Sequence, residues 1–567
     1  MATIVVRHDR PPVRRERLNL TAVAHQRLML VLLILIAVSA LLVVRLAWIG
    51  AVSGAREGQD TGLAGLPPRA DIVDRNGVPL ARMMDAYAIS VRPHKLISDP
   101  AELARKLHEI FPDTPQAEFY AKLTGKGWAY LRHRALPEEV AAVNALGEIG
   151  IEFPREKERF YPQSTLAAHL LGFAPVKDGD VFSGGMGVEA AFNDRLVDPA
   201  RRGQPLVLSV DARVQGALES ELYSAMVDQK AKGATGIVLN ANTGEVVAMA
   251  SFPVFDPNKL GRDADSRRNN VVQARYELGS TFKPLSVAAA MDAGVVTSMA
   301  KTYDATAPLQ VGKYSIKDDH PLGRWLNVPE TLIHSSNIVT ARIADEMGAE
   351  PMQKLYRALE FDRRPSIELK ERFPTLWPTE WGRITNMTVA YGHGIAVTPL
   401  HLASAYAALV NGGIWRPATL MKLDTDAVPQ GRRVFSAATS ARMRQLLRLI
   451  VMYGTGRTAN APGYRIGGKT GTAEKPSAGG YARHANITTF AAAFPMDNPQ
   501  YVVLAMMDEP QGSSQFPGVR TAAYTSAPVV KQVVTRIGPM LGILPDQRRD
   551  VDMSELMPLL SQDTGEE

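Results

Sequence analysis

Residues 234–251 read ATGIVLNANTGEVVAMAS, and this stretch indicates the fold of the longest part of the chain. Two apolar runs flank the turn-forming sequence NTG at 242–244, which predicts a β-hairpin. A second pair of apolar runs, ITTFAAAF at 487–494 and YVVLAMMD at 501–508, encloses PMDNPQ and predicts another hairpin. Hairpins at both ends of a segment, with helical patterns between them, are typical of an α+β domain built around an antiparallel sheet.

The composition is that of a folded protein with more than one domain. The chain has 567 residues, 46% of them hydrophobic and 22% charged, which predicts two or three domains. It contains no cysteine, so disulfides, thiolate metal sites and cysteine catalysis are excluded. The net charge of +6 is concentrated near the N-terminus. The near-even balance of charges in the remainder does not predict a nucleic-acid-binding surface.

An apolar run near the N-terminus predicts a membrane anchor. Residues 28–44 carry no charge, and the run continues past Arg45 to Ile49. As a helix, residues 28–49 would span about 30 Å, the thickness of a bilayer core, if Arg45 reaches the interface. A cleaved signal peptide is the alternative, but its apolar region is usually shorter. Six arginines precede the run, which predicts a cytoplasmic N-terminus.

Shifts in composition divide the chain into five segments. The helical pattern DPAELARKLHEIF lies in the third segment, with Asp99 before Pro100 as a helix N-cap. From Pro545 on, the sequence is polar and acid-rich, and we expect this end of the chain to be mobile. The predicted segments are a cytoplasmic tail at 1–27, the anchor at 28–49, a linker and pedestal at 50–203, a large domain at 204–540 and a C-terminal tail at 541–567.

Ser280 and Lys283 form a Ser-x-x-Lys pair at the predicted start of a helix. In RYELGSTFKPLSVAAAMDAG, Ser280 precedes an apolar helical stretch with Pro284 in its first turn, where proline is tolerated. Lys283 is expected one turn on, on the same face. A neutral lysine amine there can deprotonate the hydroxyl, and helix N-terminal N–H groups can stabilise an oxyanion. A plain helix cap is the alternative, and residues 298–301 (SMAK) match the same pattern in a polar stretch.

Two more short motifs follow. LIHSSNIVTARIA contains Ser335 and Asn337, a hydroxyl and an amide that can project together from a turn, although such residues also cap helices. Residues 463–470 (GYRIGGKT) match the phosphate-binding loop of nucleotide hydrolases. That loop needs a strand before it and a helix after it, whereas glycine- and proline-rich sequences flank this one. A glycine-rich turn leading into a strand is therefore favoured over a nucleotide site.

The ordered set of motifs resembles that of the penicillin-recognising serine acyltransferases, which include penicillin-binding proteins and serine β-lactamases. Residues 280–283 (STFK), 335–337 (SSN) and 469–471 (KTG) follow in order, and their first residues are 55 and 134 residues apart. Each motif alone is weak evidence, whereas the ordered set is specific. Ser-Ser-Asn stands where β-lactamases often have Ser-Asp-Asn, but the signature needs only the first and third positions.

The N-terminal half resembles the pedestal of class B penicillin-binding proteins. RADIVDRNGVPLA, from Arg69, is similar to the R-G-x-I-x-D-R-N-G motif of that class, with Ala70 in place of the usual glycine. RFYPQSTLAAHLLGF at 159–173 and GMGVEAAFNDRL at 185–196 resemble the rest of the pedestal, which a β-lactamase lacks. YELGSTFKP, SSNIVTARIA and PQYVVLAMMDEPQG are most similar to the division-specific, FtsI-like members. Elongation-specific members are the alternative.

The resemblance implies an α+β chain with one N-terminal transmembrane helix, a pedestal of the dimerisation type and a penicillin-binding transpeptidase domain with a serine β-lactamase-like sheet. It implies that Ser280 attacks the penultimate D-Ala carbonyl of a peptidoglycan stem peptide that ends in D-Ala-D-Ala. Lys283 would be the general base, made neutral by burial and by the nearby cation of Lys469. Ser335 would relay a proton to the leaving amine, and Asn337 would orient Lys283 and the substrate amide.

Further residues would bind the substrate. The resemblance implies that the hydroxyls of Thr470 and Thr472 hold its terminal carboxylate, while the backbone N–H groups of Ser280 and Thr472 form an oxyanion hole. Gly468 and Gly471 are expected to let the substrate backbone lie close against a strand. No metal or organic cofactor is implied.

The resemblance also implies partners and a location. β-Lactams would acylate the serine, and the partners would be a SEDS-type glycosyltransferase and other membrane proteins of the divisome. The chain is expected in the bacterial inner membrane at the septum, with its catalytic domain in the periplasm.

Overall fold

The structure is a computed structural model that describes residues 20–57, 68–177, 181–261, 263–477 and 480–561. It divides into two compact units, Met1–Leu66 and Pro67–Glu567. The first unit contains helix α1, Leu20–Glu57, whose described side chains at 25–45 are all exposed. Within it, His25–Arg45 is long and apolar enough to cross a membrane. The helix extends beyond the predicted span of 28–49 at both ends.

The second unit begins with short strands and helices around a sheet in which β2 pairs with β1, β3, β4 and β5. Strand β1 also pairs in parallel with β8, which lies in the predicted large domain at 204–540. The elements are β1 (Ile72–Val73), β2 (Pro79–Val91), α2 (Pro100–Ile110), α3 (Gln116–Leu123), β3 (Ala129–Ala135), α4 (Pro137–Asn144), β4 (Ile151–Glu152), β5 (Arg155–Phe160), α5 (Ala168–Leu171), β6 (Val176–Lys177), β7 (Val181–Phe182), α6 (Gly187–Ala191), α7 (Asn193–Val197) and β8 (Leu206–Val207).

A buried ion cluster joins the two ends of this pedestal. Arg69 and Arg159 each donate from Nε to the carboxylate of Glu189 at 2.6 Å, and Tyr161 donates to the same carboxylate at 3.2 Å. The two arginines and the glutamate are almost fully buried. The three sequence stretches that resemble the class B pedestal therefore meet at one carboxylate.

The remainder of the unit is an α+β region built on an antiparallel sheet, as the sequence predicts. The sheet has five strands in the order β10-β9-β19-β18-β17. Both predicted hairpins, β9–β10 and β18–β19, are present. The elements are α8 (Ala212–Asp228), β9 (Gly233–Asn240), β10 (Val246–Phe252), α9 (Asn270–Gln273), α10 (Lys283–Asp292), β11 (Thr302–Asp304), β12 (Leu309–Val311), β13 (Tyr314–Ile316), β14 (Trp325–Asn327), α11 (Val328–Ile333), α12 (Asn337–Met347), α13 (Ala349–Ala358), α14 (Arg383–Val389), α15 (Pro399–Val410), β15 (Ile414–Trp415), β16 (Arg432–Arg433), α16 (Ala437–Tyr453), β17 (Gly467–Ser477), β18 (Gly480–Phe494), β19 (Tyr501–Asp508) and α17 (Ser526–Met540).

Helices cover both faces of this sheet, so β9 and β19 are buried along nearly their whole length. Helices α8 and α17 contact one face, while α15 contacts the other. Because side chains alternate along a strand, neighbours in β9 belong to different cores: Val238 packs with the α8 and α17 side, and Ile237 with the opposite side. Continuous apolar strands such as GIVL follow from burial on both faces.

Aspartates cap the first turns of two helices, and the cap at Asp99 is predicted from the sequence. Asp99 accepts hydrogen bonds from the N–H groups of Ala101 and Glu102 at the start of α2. Asp211 accepts one from Arg213 at the start of α8. Both carboxylates satisfy N–H groups that have no partner within the helix.

The mobility predicted for the C-terminal tail is wrong for residues 545–561. Leu556 is 1% exposed and belongs to the main core, and Leu559 and Leu560 pack against it. Asp550 forms an ion pair with the buried Arg448 at 2.7 Å. The prediction rested on the average polarity of the tail. It therefore overlooked the few apolar side chains that pack on the core and the arginine outside the tail that pairs with one of its aspartates. Residues 562–567 lie outside the described part of the chain.

Candidate active site

Ser280 lies in a 3-10 turn, Gly279–Phe282, which continues directly into α10 at Lys283. Ser280 is half-buried, whereas every residue from 281 to 290 is buried. No hydrogen bond of Ser280, from its hydroxyl or its N–H, occurs within the described residues. Ser280 is therefore not the helix cap that the alternative interpretation required, and its hydroxyl is available for chemistry.

Two lysines meet at the hydroxyl of Ser335. Lys283 donates from Nζ to Ser335 Oγ at 3.1 Å and also to the Ser335 carbonyl oxygen. Lys469 donates to the same Oγ at 2.9 Å. A serine hydroxyl has two acceptor positions and one donor. Because both lysines donate to it, its proton is directed away from them, and Ser335 can donate it to a third group.

The backbone at Ser335 is in the left-handed region, with φ of 59°. Such a conformation is costly for a residue other than glycine and is often found at functional sites. The helix cap of this motif is Ser336, whose Oγ accepts from Val339 N at 3.1 Å. Ser336 therefore performs the capping that the sequence also allowed for this motif, and Ser335 is free to face the lysines.

Burial lowers the pKa of both lysines. Both are fully buried, and desolvation lowers the pKa of Lys283 to about 7, with Asp318 and Asp319 opposing the shift. Burial also brings the pKa of Lys469 well below its usual value, and the neighbouring Lys283 lowers it further. Two ammonium ions on one hydroxyl repel each other in a medium of low dielectric constant. A neutral amine is therefore present near pH 7, as a general base requires.

The side-chain amide of Asn337 makes its hydrogen bond to the loop that follows β13 and not to Lys283. Asn337 is the first residue of α12, and its Nδ2 donates to Lys317 O at 3.0 Å. Within the described residues, no hydrogen bond joins it to Lys283, which Ser335 orients instead. Asp318 fixes the same turn, because its carboxylate accepts from Ser336 Oγ at 2.8 Å and from Ile338 N at 2.9 Å. A contact between Asn337 and a substrate amide stays a prediction.

Strand β17 carries Lys469 with Thr470, Gly471 and Thr472. Thr470 Oγ1 lies 2.8 Å from the hydroxyl of Thr455 and accepts from Lys469 Nζ at 3.3 Å. Thr472 Oγ1 accepts from Ala522 N at 3.1 Å. The sequence did not indicate that Thr455 contacts the site. Thr455 lies in a glycine-rich stretch, which predicts only a loop.

Packing within the protein already requires glycine at two positions of β17. A Cβ on Gly471 would stand 2.4 Å from the Leu278 carbonyl oxygen, and one on Gly468 would stand 2.6 Å from the Ala491 carbonyl oxygen. Protein atoms therefore occupy the space that a side chain would need at these positions, while the approach of a substrate backbone to the outer edge of β17 stays a prediction. A Cβ on Gly279, whose φ is 54°, would stand 3.0 Å from the Thr472 carbonyl oxygen. The glycines bring the Ser280 turn and β17 into direct contact, while a contact of Gly471 with substrate stays a prediction.

The nucleotide interpretation is contradicted by the strand. Lys469 and Thr470 pair with Ala491 and Phe490 of β18, and β17 continues to Ser477. A phosphate loop requires free backbone N–H groups at the start of a helix, whereas this segment is a strand in the sheet. The Lys469 ammonium donates to a serine instead.

The second Ser-x-x-Lys pattern does not form a comparable site. Lys301 forms an exposed ion pair with Glu346, which raises its pKa. Ser298 accepts a hydrogen bond from Ala300 N, as in an ordinary turn. A lysine that remains protonated cannot act as a base near pH 7.

Comparison with known families agrees with this geometry. Residues 234–535 match the penicillin binding protein transpeptidase domain, and residues 65–197 match the penicillin-binding protein dimerisation domain. The chain belongs to the penicillin-binding protein transpeptidase family. The two matches correspond to the region of the five-stranded sheet and to the pedestal.

Relatives of this penicillin-binding protein match over most of its length. The probable peptidoglycan D,D-transpeptidase FtsI of Caulobacter vibrioides is 39% identical over 490 residues, covering 84% of this chain and 82% of the relative. The peptidoglycan D,D-transpeptidase FtsI of Escherichia coli K12 is 29% identical and covers 88% of each chain. These names favour the division-specific class over the elongation-specific alternative. With these relatives, the apolar helix fits a single-pass protein of the inner membrane.

A solved structure shares the fold. Penicillin-binding protein 3 from Mycobacterium tuberculosis, complexed with aztreonam, aligns with a TM-score of 0.66 and 26% identity, covering 85% of this chain and 98% of that one. The fold class predicted from sequence is thereby confirmed.

Proposed function

We propose that this penicillin-binding protein is a serine-type D,D-transpeptidase that cross-links peptidoglycan stem peptides during septal wall synthesis. One observation carries the proposal: Ser280 starts a buried helix whose Lys283 shares the hydroxyl of Ser335 with Lys469. The set contains a nucleophile, a base that is neutral near pH 7 and a hydroxyl that can move a proton.

Acylation would begin at Ser280. Its Oγ attacks the penultimate D-Ala carbonyl carbon while its proton passes to the neutral amine of Lys283. The carbonyl electron pair moves to the oxygen, and the N–H groups of Ser280 and Thr472 are the proposed donors to this oxyanion. The close packing of Gly279 on Thr472 supports this pairing, because it brings the two backbone segments together.

Collapse of this intermediate would break the peptide bond and release terminal D-Ala. The leaving nitrogen needs a proton, which Ser335 can donate from its hydroxyl. Ser335 then regains a proton from Lys283, which took the proton of Ser280. This relay is supported by the two lysine hydrogen bonds to Ser335 Oγ. The amine of a second stem peptide then attacks the ester carbonyl, forming the cross-link and restoring Ser280. With water as the acceptor, the same steps give a carboxypeptidase reaction.

Substrate recognition would use β17. The hydroxyls of Thr470 and Thr472 lie along the strand that follows Lys469, and we propose that they hold the terminal carboxylate. Asn337, half-buried at the start of α12, is proposed to bind the substrate amide. β-Lactams would enter by the same route and form a stable ester with Ser280.

For the chain as a whole, we infer an N-terminus in the cytoplasm, a transpeptidase domain in the periplasm and a place at the septum. Its partners would be a SEDS-type glycosyltransferase and other divisome membrane proteins. Depletion should give filamentous cells, and round cells would favour a role in elongation instead. Replacement of Met1–Ile49 by an unrelated single span should reduce septal recruitment, whereas full complementation would limit α1 to tethering.

The experiment that tests the activity is labelling of the full-length, detergent-solubilised chain with a fluorescent penicillin. Ser280→Ala should abolish the label while the protein stays folded. Ser298→Ala is the matched control, because it removes the serine of the other Ser-x-x-Lys pattern, and it should leave labelling unchanged. Full labelling of the Ser280 variant would refute the assignment.

A further inference from the structure

The C-terminal strap, residues 545–561, crosses α16 and is built into the fold. Leu556 lies in the main core, and Met553, Leu559 and Leu560 pack against it. Gln445 of α16 donates to Asp552 O at 2.7 Å. The strap therefore has a fixed path, and its two ends lie against two different elements of the active site.

The first end holds the segment that leads into β17. Asp546 N donates to Gly463 O at 3.0 Å, and the carboxylate of Asp550 accepts from Nε and Nη2 of Arg448. Arg448 in turn donates to Ile466 O at 2.9 Å, one residue before β17 begins. A bidentate guanidinium–carboxylate pair fixes orientation as well as distance. The strap thus fixes the start of the strand that carries Lys469.

The second end holds the N-terminus of α11. Asn327 donates from Nδ2 to Leu559 O at 2.6 Å, and Ser561 N donates to the carboxylate of Glu330 at 3.2 Å. Asn327 and Glu330 are the two members of the capping box that starts this helix. Helix α11 is only six residues long and ends two residues before Ser335. A short helix has little stability of its own, so contacts at its ends decide its position.

We propose that the C-terminal strap is a positioning element of the transpeptidase site, which holds α11 and β17 at the spacing that lets Ser335 accept hydrogen bonds from Lys283 and Lys469. This inference rests on the proposed function. The strap contributes no group to the reaction and acts through the two elements that it fastens.

The strap is expected to affect the two lysines through the position of α11 and β17, and not through its own charges. The charges that act on the two lysines are those of Asp318, Asp319 and the lysines themselves. None of these belongs to the strap. Release of α11 should therefore act by moving Ser335 and admitting water, which would bring the lysine pKa values back toward their ordinary range.

The test compares two truncations of the full-length chain. Removal of residues 559–567 deletes the Leu559 and Ser561 contacts but keeps Leu556. Removal of residues 562–567 leaves every described strap contact and is the matched control. The second variant is Asn327→Ser, because serine still caps α11 but its short side chain cannot reach Leu559 O. Each protein is assayed for its rate of penicillin acylation from pH 5 to 10 and for its thermal unfolding temperature.

We expect acylation at pH 7 to fall at least tenfold in the 559–567 truncation and in Asn327→Ser, with the midpoint of the acidic limb moved to higher pH. The control truncation should match the wild type in both. A lower unfolding temperature with unchanged rate and midpoint would overturn the inference while leaving the proposed function intact. If the longer truncation does not fold, Asn327→Ser decides by the same criteria. If the wild type is not acylated at all, the proposed function fails and the inference with it.

Discussion

The pH dependence of acylation follows directly from the burial of Lys283. Its pKa is about 7, so the neutral base is a minor species in weak acid and the major species in weak base. The sign is fixed by the chemistry: protonation removes the base, so the rate must fall as the pH drops through the pKa. Because the two lysines share one hydroxyl, the observed midpoint belongs to the pair.

The magnitude can be worked out from that pKa. The neutral fraction is about 0.09 at pH 6 and about 0.9 at pH 8, so acylation should rise about tenfold between them and then level off. A lysine with an ordinary pKa of ~10.4 would give a rise of about 100-fold over the same interval and a continued increase to pH 10. The plateau above pH 8 distinguishes the two cases.

The assay is stopped-flow acylation by a fluorescent penicillin, with intrinsic fluorescence followed in parallel to show that the protein stays folded. Asp319→Asn removes an exposed carboxylate that raises the pKa of Lys283, so it should move the midpoint to lower pH. Asp426→Asn, at an exposed aspartate elsewhere, is the control and should move nothing. A rate that still climbs above pH 9, or a midpoint that Asp319→Asn moves upward, would refute the reasoning.

Three substitutions test other parts of the account. Lys283→Arg should reduce acylation by orders of magnitude, because a guanidinium stays protonated; Lys301→Arg is its control, and near-normal acylation of the Lys283 variant would mean that another group takes the proton. Gly471→Ala would place a Cβ 2.4 Å from the Leu278 carbonyl oxygen and push the Ser280 turn from β17, so acylation should fall at least tenfold. Gly382→Ala is its control: no atom lies within 4 Å of the added Cβ, so acylation should not change. Glu189→Gln leaves two buried guanidinium groups without a counter-charge and should lower the free energy of unfolding by about 3–5 kcal/mol in denaturant titration; the exposed Glu109→Gln is its control, and equal stability of the two would contradict the role of the ion cluster.

The sheet and its hairpins could be predicted from sequence because their signals are local. Apolar runs around turn residues at 242–244 and 495–500 specify which strands pair, and aspartates 99 and 211 mark helix starts through contacts within three residues. The ordered motifs also predicted that Lys283, Ser335 and Lys469 belong to one site. These residues are far apart in sequence, yet both lysines donate hydrogen bonds to the Ser335 hydroxyl in the structure.

The rest depended on contacts that no local pattern encodes. The packing that requires glycine at 471 involves the carbonyl oxygen of Leu278, almost two hundred residues earlier, and no pattern around residue 471 indicates it. The tail was predicted to be mobile from its own charges alone. The sequence does not indicate the partners of those charges in other elements, such as Arg448 of α16. Thr455 and Asp318 contact the site through loops, and nothing in their local sequence separates them from ordinary turn residues.

If Ser280 carries the acyl group of the donor stem peptide, mass spectrometry of the trapped intermediate will locate it there. The full-length chain is incubated with a stem pentapeptide that ends in D-Ala-D-Ala, quenched in acid and digested. We expect an ester on the peptide that contains Ser280, with the mass of the pentapeptide less one D-Ala, one equivalent of free D-Ala, and loss of the ester when an amine acceptor is added. An ester on Ser298 or Ser335, or D-Ala release that persists in Ser280→Ala, would contradict this assignment.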